Sequence, residues 1–331
     1  MQAATTQRMK VFVTGGAGYV GSICVEELLN AGHQVAVIDN LTEGHRAAID
    51  ERAEFIEGDL NNRALLMDAM KRVRPDAVMH FASNTLVPVS MIHPGWYLGD
   101  NISNAVNLLD ACVANGVKNF VFSSSCSIFG VPKTIPITEN TPKEPINPYG
   151  ESKYTIERIL AWYEKLFGIR HVSLRYFNAA GASEQFGEHH VVETHLIPNV
   201  LKVALGQKPH VEIYGTDYPT PDGTCIRDYI HILALAQAHM LALTAPQSAK
   251  YNLGTGGGTS VREIIATCEK VTGKKIAVIE KPRRPGDPPR LIAGSEKVRA
   301  ELGWKPQFQD VEKIIASAWA WHVRHPNGYG D

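Results

Sequence analysis

The sequence predicts an α/β fold: a doubly wound parallel sheet with helices on both faces, and a smaller, mixed α/β C-terminal lobe. Three observations carry this expectation. Short apolar runs alternate with longer stretches of helical periodicity through the first half of the chain. A glycine run follows the first apolar run and opens the first helical pattern. The second half is less regular and holds Pro-containing loops, such as 217–224 and 281–289.

Taken in order, Lys10–Thr14 (KVFVT) reads as a buried strand, and residues 18–31 carry Val20, Ile23, Leu28 and Leu29 at helical spacing. Residues 34–38 (QVAVI), 77–82 (AVMHFA), 120–124 (FVFSS) and 171–176 (HVSLRY) read as further strands, with a helical pattern around 105–112. Strand, helix, strand in this rhythm gives a parallel sheet, whose ligands lie at the carboxyl ends of the strands. A boundary is expected near residue 180, dividing 1–180 from a second lobe at 181–331. Residues 228–243 read as a helix packing back on the first domain. The glycines at 254–258 lack the Lys-Ser/Thr ending of a P-loop, and Ser260-Val261-Arg262-Glu263 fits a helix capping box.

Composition narrows the function classes. With 33 basic and 34 acidic residues in 331 the formal net charge is −1, which argues against wholesale binding to nucleic acid or an anionic membrane. The five cysteines, Cys24, Cys112, Cys126, Cys225 and Cys268, are odd in number and lack a Cys-x-x-Cys pair. Neither a disulfide framework nor a metal site is expected, and a reducing cytoplasm fits. There is no apolar run of membrane-spanning length, and residues 1–8 lack the apolar core of a signal peptide and read as a tail.

Thr14-Gly15-Gly16-Ala17-Gly18-Tyr19-Val20-Gly21 matches the dinucleotide fingerprint in both Gly16-x-Gly18-x-x-Gly21 and Gly15-x-x-Gly18-x-x-Gly21 registers. Missing side chains allow the tight turn and close approach of backbone to a pyrophosphate, and the helix N-terminus offers it N–H groups. Asp39, 18 residues past Gly21, is placed to accept hydrogen bonds from the adenosine ribose; no arginine follows it, which favours NAD over NADP. Asp59 is a weaker candidate for the adenine side, because Gly-Asp is also an ordinary turn.

Tyr149 and Lys153 are four apart in Pro148-Tyr149-Gly150-Glu151-Ser152-Lys153, so a helix starting near Pro148 puts both on one face. Alone, such a pair more often marks a solvated helix face. Ser123-Ser124-Ser125 changes the reading, because it ends an apolar strand where this fold presents its ligand. The three features together form an acid/base set. A tyrosine of pKa near 10 needs help to act as a base at neutral pH. A cation roughly 5 Å away, at an effective dielectric of about 20, supplies about 3 kcal/mol, or about two pKa units.

The motifs TGGAGYVGS (14–22), VIDNL (37–41), GDL (58–60), HFA (80–82), FSSSCSIFG (122–130), NPYGESK (147–153), RYFNAAGA (175–182), DGTCIRDYIH (222–231) and RPGDPP (284–289) run through the chain. Together they resemble the UDP-glucose (UDP-galactose) 4-epimerase branch of the extended short-chain dehydrogenase/reductase family, which has a Rossmann-like fold. The resemblance implies Tyr149, Lys153 and Ser125 as catalytic residues. It implies NAD contacts from Gly15, Gly18, Tyr19, Val20, Gly21, Asp39, Asn40, Asp59, Leu60, Phe81, Ala82, Asn101, Tyr149, Lys153 and Tyr176. It implies UDP-sugar contacts from Ser125, Tyr149, Asn178, His195, Leu196, Tyr214, Arg227, Arg284 and Asp287. It further implies a homodimer through helices matching 99–115 and 149–167, and a place in galactose metabolism.

The resemblance places Thr85 where some relatives carry a lysine near the cofactor, which predicts weaker phosphate contacts, and it places Leu291 at a position that gates the sugar's C2 substituent. Epimerases of UDP-N-acetylhexosamines, UDP-pentoses or UDP-uronates share the Ser/Tyr/Lys set and stay open. A sugar-nucleotide dehydratase is disfavoured, because Ser125-Cys126-Ser127 offers no acid for a departing C6 hydroxyl. A non-catalytic NAD-binding protein has no need to keep the three residues together.

Overall fold

The computed structural model describes residues 8–284 and 287–330. The stretch expected to be a tail therefore lies outside the described residues except for Arg8, and the RPGDPP motif lacks Pro285 and Gly286.

The first half builds β1 (Lys10–Thr14), α1 (Tyr19–Asn30), β2 (Gln34–Asp39), β3 (Glu54–Glu57), α2 (Arg63–Val73), β4 (Ala77–His80), a short α3 (Val87–Ser90), α4 (Ile102–Ala114), β5 (Asn119–Ser125), α5 (Pro148–Phe167) and β6 (Arg170–Tyr176). The second half builds β7 (Asn178–Ala180), α6 (Leu196–Ala204), β8 (Val211–Tyr214), β9 (Ile226–Arg227), β10 (Tyr229–His231), α7 (Ile232–Leu243), β11 (Ala249–Leu253), β12 (Thr259–Ser260), α8 (Val261–Thr272), β13 (Val278–Lys281), β14 (Arg290–Leu291), α9 (Glu296–Leu302) and α10 (Val311–Arg324).

Seven parallel strands form the main sheet in the order β11-β6-β5-β4-β1-β2-β3. From β1 the chain steps outward through β2 and β3, then returns to lay β4 on the other side of β1, in register Val11↔Ala77 and Thr14↔His80. The order therefore reverses between β1 and β4, and a crevice opens beyond their carboxyl ends. The alternation within β1 explains the two layers. Val11 and Val13 face Ile23 and Leu28 of α1 and Leu235 of α7. Phe12 faces Leu66 and Met70 of α2 and Leu108 of α4 on the opposite side. A period of two along each strand thus buries both sheet faces.

The chain crosses the boundary expected at 180 more than once. α7 packs on α1, and β11 pairs in parallel with β6 at the sheet edge. A third core, including Val200, Leu201, Ile264, Cys268, Ile314 and Ile315, joins α6, α8 and α10 into the smaller lobe. That lobe carries the pairs β7–β10 and β8–β13 and the three-stranded β12-β9-β14.

Residues 228–231, expected to begin a helix, are not helical. Tyr229–His231 forms β10, and the helix starts at Ile232, where the His231 ring accepts the Leu233 amide at 3.1 Å. The reason lies in Asp228. Its fully buried carboxylate accepts the Thr255 amide at 2.8 Å, the Thr255 hydroxyl at 2.7 Å, the Gly256 amide at 3.0 Å and the Ala293 amide at 3.1 Å. The glycine-rich turn at 254–258 wraps this carboxylate, and the Ser260–Glu263 capping box opens α8 as expected. The strand expected at 77–82 ends at His80, because the Phe81 and Ala82 amides both bend to the Thr14 carbonyl.

Candidate active site

The cleft beyond β1 and β4 encloses about 1890 Å³ and runs without a break from the main sheet into the smaller lobe. A site for one drug-sized ligand has roughly 300–1,000 Å³. This one has room for two extended ligands end to end.

Its floor is the glycine turn. Gly15 has φ +73°, and a Cβ there would lie 2.4 Å from the Ala82 amide nitrogen; one on Gly21 would lie 2.1 Å from the Gly15 carbonyl oxygen. Glycines at these positions let β1, β4 and α1 meet at backbone distance. Gly18 caps α1 with no side-chain bond, and no acid occupies the first turn. The first N–H groups of α1, from Tyr19 and Val20, are therefore directed at the cleft without an intrahelical partner. This is an anion cradle, and it fits the pyrophosphate of a dinucleotide.

Asp39 ends β2 beside the cradle. Its carboxylate accepts the Ala17 amide at 3.0 Å and the Leu41 amide at 2.9 Å, fixing the turn while leaving lone pairs toward the cleft. Burial raises its pKa, and the two amides work the other way. Asn40 donates to Asp59 at 2.7 Å, so these two residues form one edge next to buried Leu60. Phe81 and Ala82 line the cleft. Asn101 lines it as well, but its amide is committed: it accepts from the Asn84 amide at 2.8 Å and donates to the Asn84 carbonyl and to Ser152 Oγ, each at 3.1 Å. Thr85 lies on this side of the cleft. Tyr19 points its hydroxyl away, donating to the Gly181 carbonyl at 2.7 Å.

The catalytic candidates come together where β5 meets α5. Asn147 caps α5 by accepting the Gly150 amide at 2.8 Å, and Pro148 opens the helix. A Cβ on Gly150 would sit 2.5 Å from the Ser127 carbonyl oxygen. The bare glycine thus lets the first turn of α5 abut the end of β5, bringing Tyr149 beside Ser125. The three serines divide their work. Ser123 Oγ bonds the Tyr176 hydroxyl, Ser124 Oγ donates to Glu157 at 2.7 Å, and Ser125 Oγ accepts the Ser127 amide at 3.2 Å beside the Tyr149 phenol.

Lys153 lies one helical turn beyond Tyr149. It is buried, donates to the Ser123 carbonyl at 3.0 Å, and stands with Nζ 5.7 Å from the Tyr149 ring centre. Burial pushes the Tyr149 phenol up to about 12, and the neighbouring Ser125 hydroxyl pulls it back only in part. Burial pushes Lys153 down to about 7. The chain alone therefore holds a neutral phenol and a readily deprotonated amine. The lowering that a nearby cation supplies is therefore not realised in the chain alone, where desolvation sets the direction of the Tyr149 shift. Cys126 is no activated thiol, since burial pushes it up to about 12.

The remaining candidates line the other half of the cleft. Asn178 begins β7 and donates to the Asp228 carbonyl at 3.1 Å. Arg227 and Asp287, expected to bind diphosphate and ribose separately, form an ion pair with each other. Arg284 stacks its guanidinium 3.9 Å from the Tyr214 ring centre, which gives that exposed arginine a direction. Leu196 opens α6, and Leu291 packs near Phe129 and Phe177. His195 bonds Glu188. Burial lowers its pKa, but the charge and hydrogen bond of Glu188 and the charge of Glu193 outweigh this and hold it up at about 9.

Sequence reasoning missed Glu188, His190 and Glu193, which share this wall with His195. Their signal was the run Glu188-x-His190-x-x-Glu193-x-His195, visible only if histidines and carboxylates are scanned together.

The model of the NAD dependent epimerase/dehydratase family matches residues 11–254. The chain is 49% identical over 332 residues to the UDP-glucose 4-epimerase of Streptococcus mutans serotype c, covering 98% of this chain and 99% of that protein. It is 48% identical to the UDP-glucose 4-epimerase of Lactobacillus helveticus, covering 98% and 100%. Among solved structures, the Bifidobacterium longum UDP-glucose 4-epimerase in complex with NAD+ and UDP superposes with a TM-score of 0.92 at 38% identity, covering 96% and 99%. A further UDP-glucose 4-epimerase crystal structure reaches 0.95 at 46% identity, covering 97% and 99%. With a family model spanning most of the chain, near-full-length relatives and a glycine cradle that fits the dinucleotide, the chain belongs to the NAD dependent epimerase/dehydratase family.

Proposed function

We propose that this protein is an NAD-dependent UDP-glucose 4-epimerase, which inverts C4 of a UDP-hexose reversibly through a 4-keto sugar. The observation that carries the reading is the position of Ser125 and Tyr149 in one cleft with the glycine cradle and the arginines of the smaller lobe, with Lys153 buried one helical turn beyond Tyr149. Bound NAD supplies a reversible hydride acceptor, the one capacity the side chains lack. Tyr149 takes the proton from the sugar O4 and returns it. Ser125 hydrogen-bonds both O4 and the phenol, so the proton moves over a short path. Lys153, in its protonated form, adds positive charge beside the developing phenolate and would hold the cofactor ribose. Gly15, Gly18, Val20 and Gly21 hold the NAD pyrophosphate, Asp39 its adenosine ribose, and Tyr176 and Phe81 its nicotinamide side. Asn178, Leu196, Tyr214, Arg227, Arg284 and Asp287 hold the UDP-sugar, and Leu291 limits the C2 substituent.

The test is incubation with UDP-galactose, with and without added NAD, and chromatographic assay of UDP-glucose. Conversion is expected. UDP-N-acetylgalactosamine run in parallel defines what Leu291 admits. No conversion of either, with NAD bound and the fold intact, overturns the reading in favour of a UDP-pentose or UDP-uronate epimerase.

The reading extends to a homodimer in the cytoplasm, acting in galactose metabolism. Trp96 and Leu98 before α4, and Trp162, Leu166 and Phe167 at the end of α5, are exposed apolar side chains on adjoining helices. An exposed patch of this kind supports a helix-to-helix dimer interface. The five cysteines are unpaired, in keeping with a reducing compartment. Trp162→Glu with Leu166→Glu is expected to shift the protein from dimer to monomer in light scattering after gel filtration. An unshifted mass sinks the dimer proposal.

A further inference from the structure

We infer that Glu188, His190, Glu193 and His195 form a binding site for one divalent transition-metal ion, with zinc the best match, on the wall of the cleft. The segment carrying them runs from the end of β7 to the start of α6, and it folds the four side chains onto one point. His190 Nδ1 lies 3.2 Å from Glu193 Oε2 and 3.6 Å from Glu188 Oε1. His195 Nδ1 lies 3.9 Å from Glu193 Oε1 and is in direct contact with Glu188 Oε1. One donor atom from each residue lies within 4.8 Å of all the others. A tetrahedral ion with bonds of about 2.0–2.2 Å sets its ligand atoms roughly 3.3–3.6 Å apart. The His190 pairs stand near that spacing, while His195 and Glu188 are in hydrogen-bond contact and must part to admit the ion.

The donor set selects the ion. Two imidazole nitrogens and two carboxylate oxygens suit zinc and its first-row neighbours, whereas calcium and magnesium prefer oxygen alone. The two carboxylates need positive charge between them, which His195 supplies as an imidazolium until a metal ion displaces its proton. Glu188 and Glu193 are both buried, with side-chain exposures of 4% and 2%. Among the described residues their ion-pair partners are histidines, with no lysine or arginine. Two carboxylates drawn out of water into one pocket are costly without positive charge between them.

The expectation of no metal rested on the cysteines, and this site uses none. Four protein ligands fill a tetrahedral shell, so the ion is structural and activates no water. It clips a loop whose tip, Val191 and Val192, is exposed. It also fixes the start of α6, where Leu196 lines the cleft. His190 further packs edge-on against Tyr19 of α1, at 6.3 Å between ring centres, which ties the clip to the glycine cradle. His195 remains more than half exposed and lines the cleft while its Nδ1 is engaged.

The test uses the full chain without a histidine tag, stripped with a chelator and checked by circular dichroism. It is then dialysed against micromolar zinc with a weak competing chelator, and bound metal is measured by mass spectrometry. One zinc per chain is expected. His190→Ala and Glu193→Gln are each expected to weaken zinc binding more than about tenfold, the least that loss of even an outer-shell partner costs. Cobalt(II) in the unmodified chain is expected to give the visible bands of a tetrahedral site, which keeps the proposal testable if a variant fails to fold. No retained zinc and no such bands in the unmodified chain, or zinc retention unchanged in both folded variants, overturns it. None of these readouts depends on epimerase turnover, so the two proposals fail separately.

Discussion

Tyr149→Phe is expected to reduce turnover of UDP-galactose about a thousandfold, within the 10²–10⁴ range typical of a lost acid/base group. That is about 4 kcal/mol of transition-state stabilisation, at 1.36 kcal/mol per tenfold. The substitution removes one oxygen and leaves the ring. The Asn147 cap, the Gly150–Ser127 contact and the buried Lys153 involve other atoms, so α5 should keep its place. The glycine cradle lies on other elements, so NAD content, assayed after denaturing the purified variant, should stay near that of the parent.

The direction of pH dependence follows from the environment of the phenol. Burial pushes Tyr149 up to about 12, so at neutral pH only a small fraction is ionised in the chain alone. Below that pKa, turnover limited by the phenolate should rise with pH in the parent enzyme, and the phenylalanine variant should lose this rise along with most of its rate. Full turnover in Tyr149→Phe would overturn the assignment of this residue as the base.

Much of the site was legible in the sequence because its parts are local. The glycine turn, the three serines at the end of β5 and the Tyr149–Lys153 spacing each depend on residues within one helical turn or one strand end, where periodicity determines direction. The parallel sheet was legible for the same reason, as each strand carries its own apolar run. Contacts made across the fold were not. Nothing local to Asp228 announces that its carboxylate gathers amides from Thr255, Gly256 and Ala293, and so the segment from 228 was expected to be helical. The pairing of Arg227 with Asp287 spans 60 positions, and only folding brings those charges together. The cluster from Glu188 to His195 is local too, but its donors are histidines and carboxylates, which the cysteine spacing does not reveal.

The second large effect concerns stability, and it rests on the same helix face. Tyr149, Lys153 and Glu157 follow one another at intervals of four along α5, so the face that presents the phenol to the cleft carries a carboxylate into the core. Glu157 has no exposed surface. It accepts from Arg175 Nε at 2.8 Å and Nη2 at 2.6 Å, and from Ser124 Oγ at 2.7 Å. Arg175 on β6 is 1% exposed, and its Nη1 has no hydrogen-bond partner among the described residues. Glu157→Ala therefore leaves a guanidinium charge in the core with its fork unpaired, at a cost of about 3–5 kcal/mol. Domains have about 5–15 kcal/mol in total, so the loss is a large share and should lower the midpoint of thermal unfolding by on the order of 10 °C. Removing both charges together, as Glu157→Leu with Arg175→Met, should recover most of that loss, because well-packed apolar side chains replace a buried pair at little cost. The two variants, compared by calorimetry, separate the penalty of an orphaned charge from the net worth of the pair. A single variant within about 1 kcal/mol of the parent, the range of an exposed ion pair, would sink the argument that this bridge anchors α5 to the sheet beneath the catalytic residues.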